Sequence, residues 1–282
     1  MTPELGVVVL SYRNDDTIVA AVDSLLGQEG LLEIIVSHSG PGDAPARLAR
    51  HAPTVRVVAS SGRRLPGAAR NAGIAASRAP FVAFLAGDCR ARPGWAEGRL
   101  RRHRAGASAV SCAMLPLGRS PAALASYLLQ HSYRMPHLAM PPARYRYGLS
   151  YARPVLERYG PFPEAQALGE DSALKERLIF AGVDIAWAPD VVVVHPYPAR
   201  VRALLADQHR RGRLRASLCR SAGQRGRLLA QVLAEAPQGL ARAARRNSSI
   251  GARDLLSVAP LVVLGALASA VGVVSGPAAD AG

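Results

Sequence analysis

The chain has 282 residues, of which 49% are hydrophobic, 20% charged and 5% aromatic. That balance excludes a disordered tail or a collagen-like repeat, and the length accommodates one core of about 200–250 residues plus an appendage. The net charge of +15 raises the question of nucleic acid, but Lys175 is the single lysine among 35 basic residues, and part of the Arg excess can reflect coding bias. Cys89, Cys112 and Cys219 form no zinc spacing and no disulfide framework, which points to a reducing compartment.

The first half alternates strand-like and helix-like patterns. Residues 5–11 (LGVVVLS) are a continuous β-branched run, the mark of a strand buried on both faces. Residues 16–26 place Ile18, Ala21, Val22, Leu25 and Leu26 on one helical face. Strands follow at 32–36, 55–59 and 81–85, with helices at 44–51 and 67–77 between them. This alternation predicts parallel βαβ units in a doubly wound sheet. Ligands then belong at the carboxyl ends of the strands, in the loops after Ser11, Val36 and Leu85. Further helices are predicted at 93–104, 122–134 and 171–181, a loop at 136–146 and a last buried strand at 191–195.

The C-terminal part differs in charge. Residues 199–253 carry 13 Arg against Asp207 and Glu235, a net +11, in two amphipathic helices over 200–220 and 225–246. Beside them lies an uncharged run, residues 255–279. As a helix rising about 1.5 Å per residue, it exceeds the roughly 30 Å hydrocarbon core of a bilayer. A buried or interfacial hydrophobic hairpin is the other reading of that run. Arg242, Arg245, Arg246 and Arg253 on one side, with only Asp280 on the other, orient a span so that the bulk of the chain is cytoplasmic. Near the start, residues 7–10 are too short an apolar run for a signal peptide. The expected organisation is a catalytic domain over 1–198, basic juxtamembrane helices over 199–253 and a transmembrane segment over 254–282.

Five segments fall at the expected loops in order: VVVLSYRN (7–14), EIIVSHSG (33–40), PGAARNAG (66–73), FVAFLAGDCRARPGW (81–95) and LGEDSALKERLIFAG (168–182). Together they resemble family 2 glycosyltransferases over about residues 3–220. The resemblance implies the GT-A fold, a mostly parallel Rossmann-like sheet flanked by helices. It also implies transfer of a sugar from a nucleotide-diphosphate donor, usually with inversion and with Mg²⁺ or Mn²⁺.

Residue by residue, the family's Asp-x-Asp element reads Ala86-Gly87-Asp88, so the first Asp is missing and Asp88 is left for donor and metal. One protein carboxylate is compatible with a Mg²⁺ that also uses phosphates and waters. His195, ending the last strand, matches a place where relatives meet the metal. Glu170-Asp171 looks like the family's Glu-Asp element, with Asp171 the general base and Glu170 the next candidate. On the donor side the resemblance implies Ser11 and Tyr12, Gly67, Arg70 and Asn71, and Arg210 and Arg213 toward the diphosphate or acceptor. His38 stands where the family usually has a base-contacting Asp. A membrane-proximal acceptor, such as a lipid-linked glycan or surface polysaccharide precursor, follows from the hydrophobic run and the anionic-membrane affinity of the Arg-rich stretch. Two other classes stay open: a degenerate, non-catalytic nucleotide-sugar binder and a nucleic-acid-binding protein. The position of the Arg-rich stretch and the lack of interleaved aromatics argue against nucleic acid.

Overall fold

The computed structural model describes residues 2–13, 16–30, 32–245, 248 and 250–277. Asn14 of the first motif, Arg246, and residues 278–282 with Asp280 lie outside the described residues. The chain divides into two compact units, one running to Met114 and resuming over Leu138–His195, the other formed by Leu115–His137 and the chain from Pro196 on. This division differs from the expected one. The segment around residues 121–131 belongs with the C-terminal helices, and no unit boundary falls at 253.

In the first unit, β1 (Leu5–Ser11), β2 (Leu32–Ser39), β3 (Val55–Ser60) and β4 (Phe81–Ala86) pair in parallel in the order β3-β2-β1-β4. The helices α1 (Ile18–Leu26), α2 (Ala44–Leu48) and α3 (Pro66–Ala76) connect them. The alternating residues of β1 serve two cores. Val7 and Val9 pack with Ile18, Val22 and Leu25 of α1, while Val8 packs with Phe84, Tyr151 and Leu174 on the opposite face. Each fully buried valine contributes about 1.5–3 kcal/mol, so a strand with both faces covered needs an unbroken apolar run. A Cβ on Gly73 would stand 2.2 Å from Val8 Cγ1, so glycine is what lets α3 lie down on β1.

The sheet is parallel through these four strands, as expected, and mixed beyond β4. After β5 (Arg90–Ala91) and α4 (Trp95–Arg104) come β6 (Ala109–Pro116) and, past α5 (Pro121–His131) of the second unit, β7 (Ser150–Ala152). Then follow α6 (Arg153–Tyr159), α7 (Glu170–Phe180) and β8 (Ile185–His195), completing the order β3-β2-β1-β4-β7-β6-β8-β5. β7 runs antiparallel to β4 and to β6, and β5 antiparallel to β8. Arg99, fully buried, ties this half together. Its guanidinium donates to the carbonyls of Val110 and Gly148 and to Ser150 Oγ, and lies 4.2 Å over the Trp95 ring.

The second unit is helical: α5 with α8 (Val201–Ala216), α9 (Ala222–Ala243) and α10 (Ala252–Ser275). Among the described residues, α10 is the one helix long and apolar enough to cross a membrane, with a mean hydropathy of 2.2 over its best window, of which 44% is buried. It packs on α5, α8 and α9, burying Val258, Val262, Ala266, Ala270 and Val273. It is thus a member of the unit, not a separate appendage.

Candidate active site

The carboxyl ends of β1, β2 and β4 supply the site, as a doubly wound sheet requires. Register places Ser11 opposite His38, and Ser11 Oγ lies 2.9 Å from His38 Nδ1 with both residues buried. The pair forms a polar floor between the two strand ends. Tyr12, half-buried, follows on the rim with the guanidiniums of Arg13 and Arg63 5.3 and 5.1 Å from its ring centre. Arg13 has φ 52°, a left-handed backbone that a bulky residue adopts only under local constraint. Arg64, next to Arg63, has a buried Nη1 without a hydrogen-bond partner among the described residues. These three arginines give the rim a positive edge, and the family resemblance did not single them out.

After β4 the chain turns tightly. Gly87 N donates to the Leu10 carbonyl (3.0 Å), Thr17 Oγ1 to the Gly87 carbonyl (2.8 Å) and Cys89 N to the Ala86 carbonyl (3.0 Å). Asp88 emerges half-buried from this turn. The β5–β8 ladder pairs Arg90 with Val194, and one step further brings His195 opposite Cys89. One ligating atom each from Asp88, Cys89 and His195 lie within 4.8 Å of one another, and Cys89 Sγ is 3.5 Å from Asp88 Oδ1. A carboxylate, an imidazole and a thiol at this separation fit a single divalent cation. Nitrogen and sulfur donors suit a first-row transition metal better than Mg²⁺, which prefers an all-oxygen shell. The cysteine spacing in the sequence offers no metal site, and Cys89 joins this cluster only through the fold. Its place in the cluster depends on a pairing between residues about a hundred positions apart, which no local pattern encodes.

Gly169, at φ 86°, turns the chain into α7 and sets Glu170 and Asp171 on its first turn. The two acids part company there. Glu170 is buried, its Oε1 3.1 Å from Arg70 Nε, and Arg70 in turn lies over Phe84 and Phe162 at 4.9 and 5.4 Å. Asp171 is only half-buried and accepts from Ser172 N at 2.7 Å, which orients its carboxylate at the helix start. Asp171 is therefore the accessible acid, and Glu170 holds the segment through Arg70.

The PGAARNAG segment packs closely against residues 160–171. A Cβ on Gly67 would stand 1.9 Å from the Pro163 carbonyl, so its smallness admits the chain's own backbone. Asn71 Nδ2 donates to the Phe162 carbonyl (2.9 Å) and to Glu164 (2.8 Å), and its Oδ1 accepts from Phe162 N (3.0 Å). Gly67, Arg70 and Asn71 together brace residues 160–171, which carry Asp171. Arg210 and Arg213 lie exposed on α8 in the second unit, Arg210 paired with Asp207. Burial raises the Asp207 carboxyl, but Arg211 and Arg210 outweigh it and hold it below the usual range.

Away from the strand ends, His103 stacks on Phe81 with ring centres 4.5 Å apart and meets Ser150 Oγ and the Ala107 carbonyl through its two ring nitrogens. Burial, with the nearby Arg99 charge, pushes this imidazole down to about 4 against the raising effect of the Ala107 carbonyl. It is a neutral core histidine.

Residues 6–138 match the model of "Glycosyl transferase family 2". The chain is 37% identical over 191 residues (61% of its length, 52% of the relative's) to succinoglycan biosynthesis protein ExoO of Rhizobium meliloti (strain 1021). It is 30% identical over 218 residues (71% and 44%) to a pre-mycofactocin glycosyltransferase of Mycobacterium tuberculosis (strain CDC 1551 / Oshkosh). The chain spans about half the length of these curated relatives. Among solved structures, the mannosyltransferase PcManGT from Pyrobaculum calidifontis, in complex with GDP-Man and Mn²⁺, matches with a TM-score of 0.60 at 21% identity, covering 98% of this chain and 88% of that one. The fold is shared with that GT-A enzyme.

Proposed function

We propose, from the match of residues 6–138 to family 2 glycosyltransferases, that the chain transfers a sugar from a nucleotide-diphosphate donor, with inversion, to a glycan or lipid-linked acceptor at a membrane. The observation that carries this reading is the Asp88–Cys89–His195 cluster at the carboxyl end of β4. Asp88 and His195 are the metal ligands in it, with the Cys89 thiol alongside. A divalent cation bound there supplies positive charge that neutralises the diphosphate as it leaves. Tyr12 borders the nucleotide base, and Arg13, Arg63 and Arg64 bring cationic donors to its phosphates. Asp171 takes the proton from the acceptor hydroxyl, whose oxygen forms a bond to the anomeric carbon while the bond to the diphosphate oxygen breaks. Arg70, Glu170 and Asn71 position Asp171 and do not touch substrate.

The acceptor class rests on two supports: the similarity to a succinoglycan biosynthesis protein and the apolar helix α10 beside an Arg-rich stretch. A surface polysaccharide or cell-envelope precursor at the cytoplasmic face of the inner membrane fits both. The test is turnover by the purified full chain against a panel of nucleotide sugars with Mn²⁺, Mg²⁺ or EDTA. Product formation that needs the cation supports the reading. Mn²⁺-dependent donor binding with no turnover of any donor or acceptor would instead support a non-catalytic binder, which the loss of the first Asp at Ala86 favours.

A further inference from the structure

We infer that α10 does not cross the membrane but lies along its surface as a monotopic anchor; this rests on the membrane attachment proposed above. Three observations carry it.

First, the exposed apolar residues of α10 form one stripe. Leu256, Val263, Leu264, Leu267, Val271 and Val274 are between 46% and 77% exposed, and their spacings of seven, one, three, four and three residues put them on a single helical face. The opposite face is filled by the unit itself. Gly265, Ser269, Gly272 and Gly276 form a seam of small residues against α8. A Cβ on Gly272 would stand 2.1 Å from the His209 carbonyl, one on Gly212 2.0 Å from the Ser269 carbonyl, and one on Gly276 3.1 Å from Arg213 Cα. The helix therefore has an exposed apolar face free for lipid and an opposite face taken up by protein.

Second, the seam forbids a span. It aligns residues 204–216 of α8 with residues 265–276 of α10, backbone against backbone. That part of α8 carries Asp207, Arg210, Arg211, Arg213 and Arg215. If α10 crossed the hydrocarbon, these five charges would enter it at the same depth, and Arg210 and Arg213 are exposed.

Third, arginines mark both ends of the stripe. Arg253, exposed, lies on the stripe's side in the first turn, seven residues before Pro260 and eleven before Leu264. At the other end Arg225 donates to the carbonyls of Gly276 (2.9 Å) and Pro277 (2.8 Å), closing the helix terminus with a cation. A ribbon of valine and leucine bounded by arginine matches the boundary between acyl chains and anionic headgroups. Charge also chooses between occupants. A second copy would bring another net +11 stretch toward the first, whereas anionic lipid neutralises it.

The experiment uses the full chain with Cys219→Ser and an environment-sensitive fluorophore on single cysteines at 256, 264, 267, 271 and 274, one at a time. Vesicles of phosphatidylcholine and phosphatidylglycerol carry bromine at graded depths along the acyl chain. All five positions are expected to be quenched alike, by the shallow bromines. Deep quenching at 264 and 267 with shallow quenching at 256 and 274 would overturn the inference while leaving membrane attachment intact. No binding of the unlabelled protein to these vesicles would overturn the attachment itself. In parallel, Leu264→Asp with Leu267→Asp is expected to weaken vesicle partitioning at least about tenfold with an unchanged thermal melt, because both side chains are exposed. Equal partitioning of this variant and the parent, or a stable dimer in light scattering that masks the stripe, would also defeat it.

Discussion

The parallel half of the sheet and the helical unit keep their elements together by opposite means. In the sheet, β-branched side chains fill both faces of β1, and glycine enters only at a crossing point such as Gly73 on Val8. In the helical unit, glycine is the contact surface itself, with Gly212, Gly272 and Gly276 bringing backbones of α8 and α10 together. The first device buries large apolar area and announces itself in the sequence. The second depends on two particular helices meeting in one register, and leaves large apolar residues over for the outside.

The largest expected effect is in the sheet unit, at the proposed general base. Asp171→Asn should lower turnover about 10²–10⁴-fold while Mn²⁺-dependent donor binding persists in calorimetry. Glu170→Gln should do the reverse, lowering thermal stability through the loss of the Arg70 pair with a smaller fall in rate. Equal rate losses in both would erase the distinction between an accessible acid and a bracing one.

Next comes the helical seam. Gly272→Leu presses a side chain into the His209 carbonyl and should destabilise the helical unit by about 3 kcal/mol or more. Circular dichroism would register the loss of helix, and donor binding by the sheet unit should survive if the two units are separately stable. A single melting transition lost as a whole would show that they are not. Deleting residues 254–282 is the harsher form of the same change, since it removes the partner of α5, α8 and α9 and not just an anchor.

A third effect of similar size is confined to the sheet unit and set by pH. His103 is held near 4 in the folded chain against an ordinary value of 6.5, so protons favour the unfolded state. Its stabilising contribution of about 3 kcal/mol is complete above pH 6.5 and is lost as pH falls toward 4. Denaturant midpoints between pH 7 and 4 should fall less in His103→Gln than in the parent; parallel curves would assign the acid sensitivity elsewhere.

The smallest effect belongs to the metal cluster's third member. Cys89→Ser should keep donor binding with Mn²⁺ and weaken the affinity for Zn²⁺ or Co²⁺, read by competition titration. Asp88→Ala should abolish binding of either metal, and an unchanged affinity there would remove the metal from this site.

Much of the sheet unit was legible in the sequence because its information is local. Runs such as LGVVVLS and FVAFL must be strands with both faces buried, and the alternation with helices dictates a parallel core whose ligand loops follow the strands. Asp88 and the Glu170-Asp171 pair were singled out through the family resemblance, whose motifs sit at the ends of single elements. The strands β6 and β7 were not legible, since AVSCAMLP opens on small residues and SYA is short, and both are strands through their partners. The tertiary structure alone decided that Cys89 and His195 meet, that Arg70 and Asn71 brace residues 160–171, and that α10 has one exposed apolar face and one buried face. Each of those is a contact between residues far apart in sequence, and hydropathy along one element carries no term for what lies across from it.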